Sequence, residues 1–456
     1  MLKNNYDLFF GIFLISHLVV WTLIPTLSNI NLPLDTIEAL AWGSNLSWGY
    51  YKHPPASAFF VELVYQIFGN RDWAYYLLSQ IFVIVAFFYV WKLSKIFLKK
   101  ESLCLISVLL LEAIFFYNFT TPEFNVNVCQ LPFWSMTIYY GWKCYDRNKV
   151  SDWILLGIVA AIGFLSKYVF VYLILSLKIF FIFNIFKKKK FEIKYFIPSA
   201  IFLLIISPHV LWLLENEFVT ISYALNRSGV EAVSFIEYFA NPLKFILKQL
   251  GILFPFLFLF ILIVKRFKLN FSVKKDKKKL FIILLTILPI VLVLLTSIVT
   301  GAKIRTMWMT PFYLFFGVLL IMITAVKIKD NLKFFFSLFV LVFFLSPASY
   351  LYVSLANDFK RTDYPGKEIS NLVQRKWEKN FFNEISIVVG DEWFAGNLSY
   401  HLSSRPKWFN TIENNLEIVD YSTGVIYTGN PKILKKSCPG VFGTIKPVGY
   451  CMIGVK

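Results

Sequence analysis

Charged side chains are scarce in this sequence. Asp, Glu, Lys and Arg make up 16% of the 456 residues, whereas soluble globular proteins average about 25%. Hydrophobic residues make up 57%, and the mean hydropathy is +0.63. A soluble globular protein is therefore excluded. The 50 Phe and 13 Trp residues are typical of lipid-facing surfaces with aromatic belts.

Metal-ligand spacings and a signal-peptide cleavage site are also missing. No CxxC or HExxH pattern occurs, and Cys104, Cys129 and Cys144 lie in apolar runs or at their ends, as small buried hydrophobes do. Cys438 and Cys451 lie close together in the polar tail, where they can pair if the tail is outside the cytoplasm. The first apolar run lacks a small-residue cleavage site, so we expect a retained anchor.

The formal net charge of +19 does not indicate nucleic-acid binding. The basic residues mostly form short runs between apolar segments, which is typical of cytoplasmic loops of membrane proteins. We therefore expect no nucleic-acid partner.

The apolar runs predict a polytopic, mainly α-helical membrane protein, because a span needs about 20 apolar residues. Eleven candidate spans follow from this length, at residues 7–25, 73–97, 103–119, 127–143, 152–166, 168–186, 195–213, 243–264, 280–299, 308–326 and 333–356.

Lysine-rich loops predict the orientation of these spans. With eleven spans, five such loops and the amino terminus fall on one side, which the positive-inside rule assigns to the cytoplasm. The carboxy-terminal tail then lies outside, in the periplasm if the protein is in a bacterial inner membrane. Two domains are predicted: a transmembrane domain over 1–356 and an extracytoplasmic domain over 357–456. The tail reads as alternating strands and helices, which predicts a small α/β domain.

The polar residues that are not part of lysine runs gather on the external face. The first external loop is long, and two amphipathic pieces of it, at about 36–47 and 56–68, are expected to lie in the membrane interface as short helices. The external residues that could bear chemistry are Asp35, Glu38, His53, Glu123, Glu215, Glu217, Arg227, Lys303 and Arg305.

The stretch 32–55 concentrates this chemistry. Asp35 and Glu38 share a face if the segment is helical, and a poorly hydrated carboxylate can take a proton from a sugar hydroxyl. The alternative for Asp35 is a helix N-cap. Lys52 and His53 precede a proline pair that fixes the backbone, and they could hold a phosphate or serve as a headgroup contact and a structural His.

Two further loops carry candidate residues. Glu123 lies in a Thr-Pro-Glu turn between two spans, where a solvated turn residue is the alternative to a catalytic acid. Lys303 and Arg305 lie one residue apart in a short external loop after Gly301. An arginine beside a loop glycine favours an anion site over a membrane-surface anchor. Lys167, at a break between two spans, is expected to snorkel or to face a cavity.

Five blocks in order resemble one family. They are Asp35 with the aromatic-rich segment and HPP that follow it, LPFWSMTIYYGW with DWILLGIVAAIGFLSKY, SPHVLWLLENEFVTISYAL, TGAKIRTMWMTP and GDEWFAGNLSYHLSSRP. Together they resemble the bacterial protein O-mannosyltransferase-like membrane glycosyltransferases of the GT-C class, a family that includes the lipid A aminoarabinose transferase.

The resemblance implies an enzyme that passes a sugar from a polyprenyl-phosphate donor to an extracytoplasmic lipid or glycolipid acceptor, usually with inversion. Asp35 matches the family's first-loop catalytic acid, Glu123 falls where many members carry an Asp, and His53 falls where members have His or Lys. Thr36 and Lys52 depart from the family, which often has Glu and Asp there. Glu38 is the candidate substitute, and the cation at Lys52 favours a more anionic donor or acceptor.

The sequence therefore predicts a glycosyltransferase of the bacterial inner membrane acting on lipid A or the lipopolysaccharide core. Asp35, Glu38 and Glu123 are the catalytic candidates, and Lys52, His53, Lys303 and Arg305 the donor-phosphate candidates. No metal ligands are assigned, although a divalent metal is left open as a cofactor. The alternatives are a transporter or flippase of a lipid-linked sugar, which needs ionisable groups along a path through the spans, and a non-catalytic lipopolysaccharide receptor that uses the tail.

Overall fold

The structure is a computed structural model that describes residues 5–188, 192–230, 233–266, 276–324, 327–328, 332–357, 359–410 and 421–456. Most of the described chain is helical. The helices before residue 190 are α1 Tyr6–Ser28, α2 Leu34–Gly43, α3 Ala56–Phe68, α4 Asp72–Phe97, α5 Glu101–Leu109, α6 Val126–Cys129, α7 Leu131–Arg147, α8 Val150–Ser166 and α9 Val171–Lys188.

The later helices continue the bundle and then enter the tail. They are α10 Ile197–Glu215, α11 Val219–Ser228, α12 Glu237–Ile263, α13 Lys277–Thr300, α14 Phe316–Ile323, α15 Lys333–Ala356, α16 Gly366–Glu378, α17 Phe394–His401 and α18 Pro431–Ser437. Two short strands between α12 and α15, β1 Val264–Arg266 and β2 Lys327–Ile328, pair antiparallel.

The chain is a multi-pass membrane protein. Within the described residues, seven helices are long and apolar enough to cross a membrane, and the bent pair Thr306–Tyr313 and Phe316–Ile323 makes eight if it counts as one span. The predicted number of eleven is not confirmed. The predicted spans 103–119, 127–143 and 152–166 fall on shorter or interrupted helices, because the backbone tightens into 3₁₀ turns at Leu110–Ala113 and Phe115–Tyr117 and breaks beside Gln130.

A buried polar pair lies inside the bundle where α1 meets the 3₁₀ turn after α5. The imidazole of His17 contacts the Glu112 carboxylate, and both side chains are almost completely buried. Asn118 donates to the backbone oxygen of Glu112 at 2.6 Å. Paired in this way, the two ionisable groups avoid the cost of isolated charges in a membrane interior, and they anchor the loop that leads to Glu123.

The first external loop contains both expected helices, α2 and α3, although α2 ends at Gly43 and not at Ser47. The N-cap alternative for Asp35 is wrong. Pro33 occupies the cap position, and Asp35 lies in the first turn of the helix. A carboxylate at this place interacts favourably with the helix dipole.

The tail forms the expected small α/β unit. The tail contains the strands β3 Ile387–Val389, β4 Lys407–Phe409, β5 Val425–Gly429, β6 Val441–Ile445 and β7 Val448–Ile453. They form one sheet in the order β4-β3-β5-β7-β6, in which β3 pairs parallel with β4 and β5 while β7 pairs antiparallel with β5 and β6. A disulfide joins Cys438, after α18, to Cys451 in β7.

The tail packs against α2 and α3 through a shared hydrophobic core. Trp377, Val388 and Met452 of the tail cluster with Ala41 and Trp42 of α2. Polar contacts reinforce this interface: the guanidinium of Arg405 donates to the Leu40 carbonyl at 2.7 Å and to the Glu62 carboxylate at 2.8 Å. The tail therefore fixes the helix that carries Asp35 and Glu38.

Candidate active site

Asp35 and Glu123 lie next to each other. The backbone N–H of Asp35 donates to Glu123 Oε1 at 3.0 Å, and the Thr36 hydroxyl donates to the Phe124 carbonyl at 3.2 Å. The structure thus brings together two acids that are far apart in the sequence. Two hydrogen bonds between α2 and the loop before α6 hold them there.

Burial raises the pKa of both carboxyls. The pKa of Asp35 is raised by burial, which outweighs the opposing charges of Lys167 and Lys52. The pKa of Glu123 is raised to about 8, by burial first and by the negative charge of Asp35 second. Near neutral pH a pKa of about 8 keeps Glu123 mostly protonated, and the raised pKa of Asp35 makes its carboxylate a better proton acceptor than a hydrated one.

Glu38, Lys52 and Glu392 form a separate group, here named the Lys52 cluster. Lys52 Nζ contacts the Glu38 carboxylate and lies 3.1 Å from Glu392 Oε1 of the tail. Burial raises the pKa of Glu38 to about 7 although Lys52 opposes this shift. Both acids raise the pKa of Lys52 against the effect of burial. The single positive charge of Lys52 is therefore shared between two carboxylates.

His53 is neutral at physiological pH. Burial, followed by the positive charges of Lys167 and Lys52, lowers the pKa of His53 to about 3. Its ring packs edge-on against Trp42 with centroids 6.1 Å apart, and its carbonyl accepts from the Tyr50 N–H at 3.1 Å. His53 can offer a phosphate a hydrogen bond, but it offers no positive charge.

The first loop is also held from the opposite side. His209 Nδ1 of α10 lies 2.6 Å from the Trp48 carbonyl, and the Thr220 hydroxyl of α11 donates to the Tyr50 carbonyl at 2.8 Å. These contacts fix the backbone that leads into Lys52 and His53.

A cavity of about 680 Å³ opens beside Glu123, and its wall is rich in cations. We name it the cationic cavity. Lys303, Arg305 and Glu123 all line it, so three of the predicted site residues share one space. The other cations in its wall are Arg227, Lys244 and Lys248. Glu38, Lys52 and His53 are not among its lining residues.

The loop that carries Lys303 and Arg305 is fixed by its glycine. Gly301 has φ +68°, and a Cβ there would meet a Val233 methyl carbon at 2.2 Å, so only glycine fits. The Lys303 N–H donates to the Ser228 carbonyl at 2.9 Å, and its ammonium lies 3.0 Å from the Glu237 carboxylate. Arg305 is exposed and has no acidic partner among the described residues.

Lys167 lies between Asn127 and Trp308 and is not among the residues that line the cationic cavity. It is buried, it contacts the side-chain oxygen of Asn127, and its ammonium lies 5.4 Å from the centre of the Trp308 ring. Asn127 lines the cationic cavity. Lys167 therefore connects the loop of Glu123 with the loop of Arg305, and its charge acts on Asp35.

A second, apolar cavity of about 440 Å³ lies next to the first and shares Phe115, Lys248 and Thr306 with it. Its remaining lining residues are Ala113, Gly251, Ile252 and Pro255. The cationic cavity therefore continues into an apolar groove along α12.

Lys244 and Lys248 were missed in the sequence because they lie at the start of the predicted span 243–264. They stand four residues apart on α12 and so share one face. Two lysines at this spacing within a predicted span were a usable signal, since an intramembrane cation is by default a functional candidate. Among the described residues, no group of three or more His, Cys, Asp or Glu side chains could hold a metal ion.

Comparison with known proteins finds similar sequences and a similar fold. The family described as dolichyl-phosphate-mannose-protein mannosyltransferase matches residues 52–212. The lipopolysaccharide core galacturonosyltransferase RgtA of Rhizobium johnstonii is 22% identical over 208 residues. That match covers 45% of this chain and 42% of the relative, so the chain spans less than half the length of RgtA in the alignment.

The fold is similar to that of a solved membrane protein structure, ArnT. ArnT from Cupriavidus metallidurans bound to undecaprenyl phosphate superposes with a TM-score of 0.60 over 98% of both chains at 11% identity. Its apo state gives a TM-score of 0.59 over 97% of both chains at 10% identity. The predicted resemblance to GT-C class bacterial membrane glycosyltransferases is therefore confirmed, and the chain has their fold.

Proposed function

We propose that this protein transfers a sugar from a polyprenyl-phosphate-linked donor to an extracytoplasmic acceptor, most simply lipid A or the lipopolysaccharide core. One observation carries the proposal: a carboxylate pair, Asp35 and Glu123, adjoins a cavity whose wall holds Lys303 and Arg305. A base beside an anion site is the minimum that displacement of a phosphate from a sugar requires. RgtA and ArnT, whose names refer to a lipopolysaccharide core and to undecaprenyl phosphate, support the choice of substrates.

In this proposal the donor lies across the two cavities. Its phosphate contacts Lys303 and Arg305, where the arginine provides a bidentate contact to two phosphate oxygens. Its polyprenyl chain follows the apolar groove past Gly251 and Pro255 on α12. The sugar then points toward Glu123 and Asp35.

The reaction is a single displacement. The acceptor hydroxyl oxygen bonds to the anomeric carbon, the bond from that carbon to the phosphate oxygen breaks, and the electron pair leaves with the polyprenyl phosphate. The hydroxyl proton passes to the Asp35 carboxylate, whose raised pKa suits this role. Cations around the departing phosphate stabilise its growing charge. One displacement inverts the anomeric centre.

Glu123 and the Lys52 cluster have supporting roles in this scheme. Protonated Glu123 can donate a hydrogen bond to the sugar or to its phosphate, and Glu38 and Lys52, together with Glu392, hold the tail against the helix that carries Asp35. Direct contacts of Lys52 and His53 with the donor phosphate stay a prediction from the sequence. The charge balance of Lys52 and the neutrality of His53 favour Lys303 and Arg305 for that task.

We also propose that the protein lies in a bacterial inner membrane with a cytoplasmic amino terminus and a periplasmic carboxy terminus. The lysine-rich loops support this orientation through the positive-inside rule. The disulfide between Cys438 and Cys451 supports an oxidising location for the tail. The division of the chain into domains at residues 356 and 357 remains part of the proposal, since the tail shares its core with α2.

The decisive experiment replaces Asp35 by Asn and measures sugar addition to lipopolysaccharide by mass spectrometry in cells lacking the native gene. We expect normal membrane levels and no modified product. Asp7→Asn is the matched control, because Asp7 is exposed on α1 and pairs with Lys95 away from the site. Wild-type product from Asp35→Asn contradicts the proposal. Donor translocation without sugar transfer in reconstituted vesicles favours a flippase instead.

A further inference from the structure

The cationic cavity holds more positive charge than a single phosphodiester needs. Five cations line it, Arg227, Lys244, Lys248, Lys303 and Arg305, and the one acid in the wall is Glu123, within the part of the chain that the structure describes. Glu123 is mostly protonated near neutral pH because its pKa is raised to about 8. It therefore offsets little of this charge.

Only one of these cations has an acidic partner among the described residues. Lys303 lies 3.0 Å from Glu237, whereas Arg227, Lys244, Lys248 and Arg305 have no described carboxylate within salt-bridge distance. Four positive charges thus remain for ligands. The Lys52 cluster is the opposite case, since there two acids surround one lysine.

A neutral sugar on a polyprenyl phosphate brings a single negative charge into this space. Even the departing phosphate monoester carries about −1.5 to −2 at pH 7. Three of the four cations without an acidic partner would then have no anion beside them at the start of the reaction, and all four side chains are exposed and accessible to a ligand. A positively charged amino sugar would increase the mismatch.

We propose that the cationic cavity selects a donor whose head group carries a second anionic group in addition to the phosphodiester. This inference rests on the proposed function and narrows its substrate class. Two chemistries supply the second charge, a carboxylate on the sugar, as in a uronosyl donor, or a second phosphate in a diphosphate linkage. Lys244 and Lys248 on α12, with Arg227 on α11, are the residues available to bind it.

The placement of Lys244 and Lys248 supports this assignment. Both line the same cavity as Glu123, and Lys248 also borders the apolar groove proposed for the polyprenyl chain. Lysines that serve only as headgroup anchors have no need to face the reacting end of such a cavity. A general anchor would also show no preference between donors that share one lipid.

The test compares four synthetic donors with the same short polyprenyl chain: glucosyl phosphate, glucuronosyl phosphate, 4-amino-4-deoxyarabinosyl phosphate and glucosyl diphosphate. Their affinity for the purified full-length protein in nanodiscs is measured first, and sugar transfer to purified lipopolysaccharide second. We expect the glucuronosyl phosphate or the glucosyl diphosphate to bind at least about tenfold more tightly than the glucosyl phosphate, the size expected for one added charge-assisted contact. The donor that wins identifies the source of the second charge.

Variants link the preference to the cavity. Lys244→Gln and Lys248→Gln are each expected to reduce the preference about tenfold, because the affinity for the dianionic donor falls more than the affinity for the glucosyl phosphate. Lys432→Gln is the matched control, because Lys432 is exposed on α18 and does not line the cavity. It is expected to leave every donor unchanged.

Two results overturn the inference without touching the proposed function. One is equal or tighter binding and transfer of the glucosyl or amino-sugar donor. The other is a preference for the dianionic donor that survives in both α12 variants. If a dianionic donor binds preferentially but no donor transfers its sugar, the selectivity of the cavity is supported and the proposed glycosyltransferase function is contradicted.

Discussion

The Lys52 cluster and the cationic cavity differ in how their charges are balanced. In the Lys52 cluster two carboxylates from α2 and the tail surround one ammonium group. In the cationic cavity five cations face one mostly protonated acid. The first arrangement is complete without a ligand, and the second is not.

This difference separates structural charges from ligand-binding charges. An ion pair that joins two segments contributes to their docking, and the Lys52 cluster joins α2 to the segment before α17. The cations of the cationic cavity are exposed, so water screens their mutual repulsion in the free protein, and those without an acidic partner are available to an anionic ligand. We therefore assign docking of the tail to the Lys52 cluster and recognition of the donor to the cationic cavity.

The largest expected effect comes from removing two charges of the cavity. Lys303→Gln combined with Arg305→Gln should reduce kcat/KM at least about 100-fold, since each charge-assisted contact to a phosphate contributes about 1.5–3 kcal/mol. The single variant Arg305→Lys should retain only part of the wild-type activity, because a lysine cannot make the bidentate contact. Steady-state kinetics with a polyprenyl-phosphate donor measures both.

Lys52→Gln provides the contrast within the same assay. If Lys52 serves mainly to dock the tail, the KM of this variant for the donor should stay within about threefold of the wild-type value. The loss of a phosphate contact would raise the KM much more. A loss as large as that of the double variant would show that Lys52 contacts the donor phosphate, as the sequence predicts, and would remove the distinction between the two groups.

The next effect concerns the proton on Glu123. The rate should fall as the pH rises through about 8, because ionised Glu123 places a second negative charge beside Asp35 and beside the donor phosphate. Glu123→Gln keeps the site neutral there, so it should abolish the alkaline decline and change the rate at pH 7 by only a few-fold. The pH dependence of kcat/KM between pH 6 and 9.5 measures this.

A neutral-pH loss of activity in Glu123→Gln as complete as that of Asp35→Asn would instead make Glu123 the essential base. The acid limb of the profile should remain in the Gln variant, since it reports Asp35. Its disappearance would exchange the roles of the two acids.

The sequence predicts several parts of this architecture well. Helices α2 and α3 in the first external loop and the mixed strands and helices of the tail agree with the prediction from period and composition. The shared cavity of Glu123, Lys303 and Arg305 follows from assigning their loops to one face of the membrane. Local pattern and the positive-inside rule are sufficient for these features.

Other features depend on contacts that no local pattern contains. Glu392, which pairs with Lys52, lies far from it in the sequence. No local pattern therefore indicates that the charge of Lys52 is neutralised. Apolar composition fixes the length of a run but not its continuity, and the run 103–119 breaks where Glu112 turns inward to meet His17. Lys244 and Lys248 lie in the predicted span 243–264, because hydropathy averages over the face that the two lysines share.

The smallest expected effect sharpens the comparison from the other side. Lys52→Met removes the cation between Glu38 and Glu392 and should lower stability by about 1 kcal/mol at pH 8, a discounted value because Lys52 is partly exposed. At pH 5 the loss should be smaller. Glu38, whose pKa is raised to about 7, is then mostly protonated in both proteins, and little ion pairing is lost. Above pH 7 the variant must bury an unpaired carboxylate or bind a proton. Thermal unfolding at the two pH values measures the difference.

Lys244→Met is the matched control, because Lys244 lines the cationic cavity and has no acidic partner among the described residues. This variant should show no such pH-dependent loss of stability. An equal loss in both variants would contradict the division between docking and binding charges.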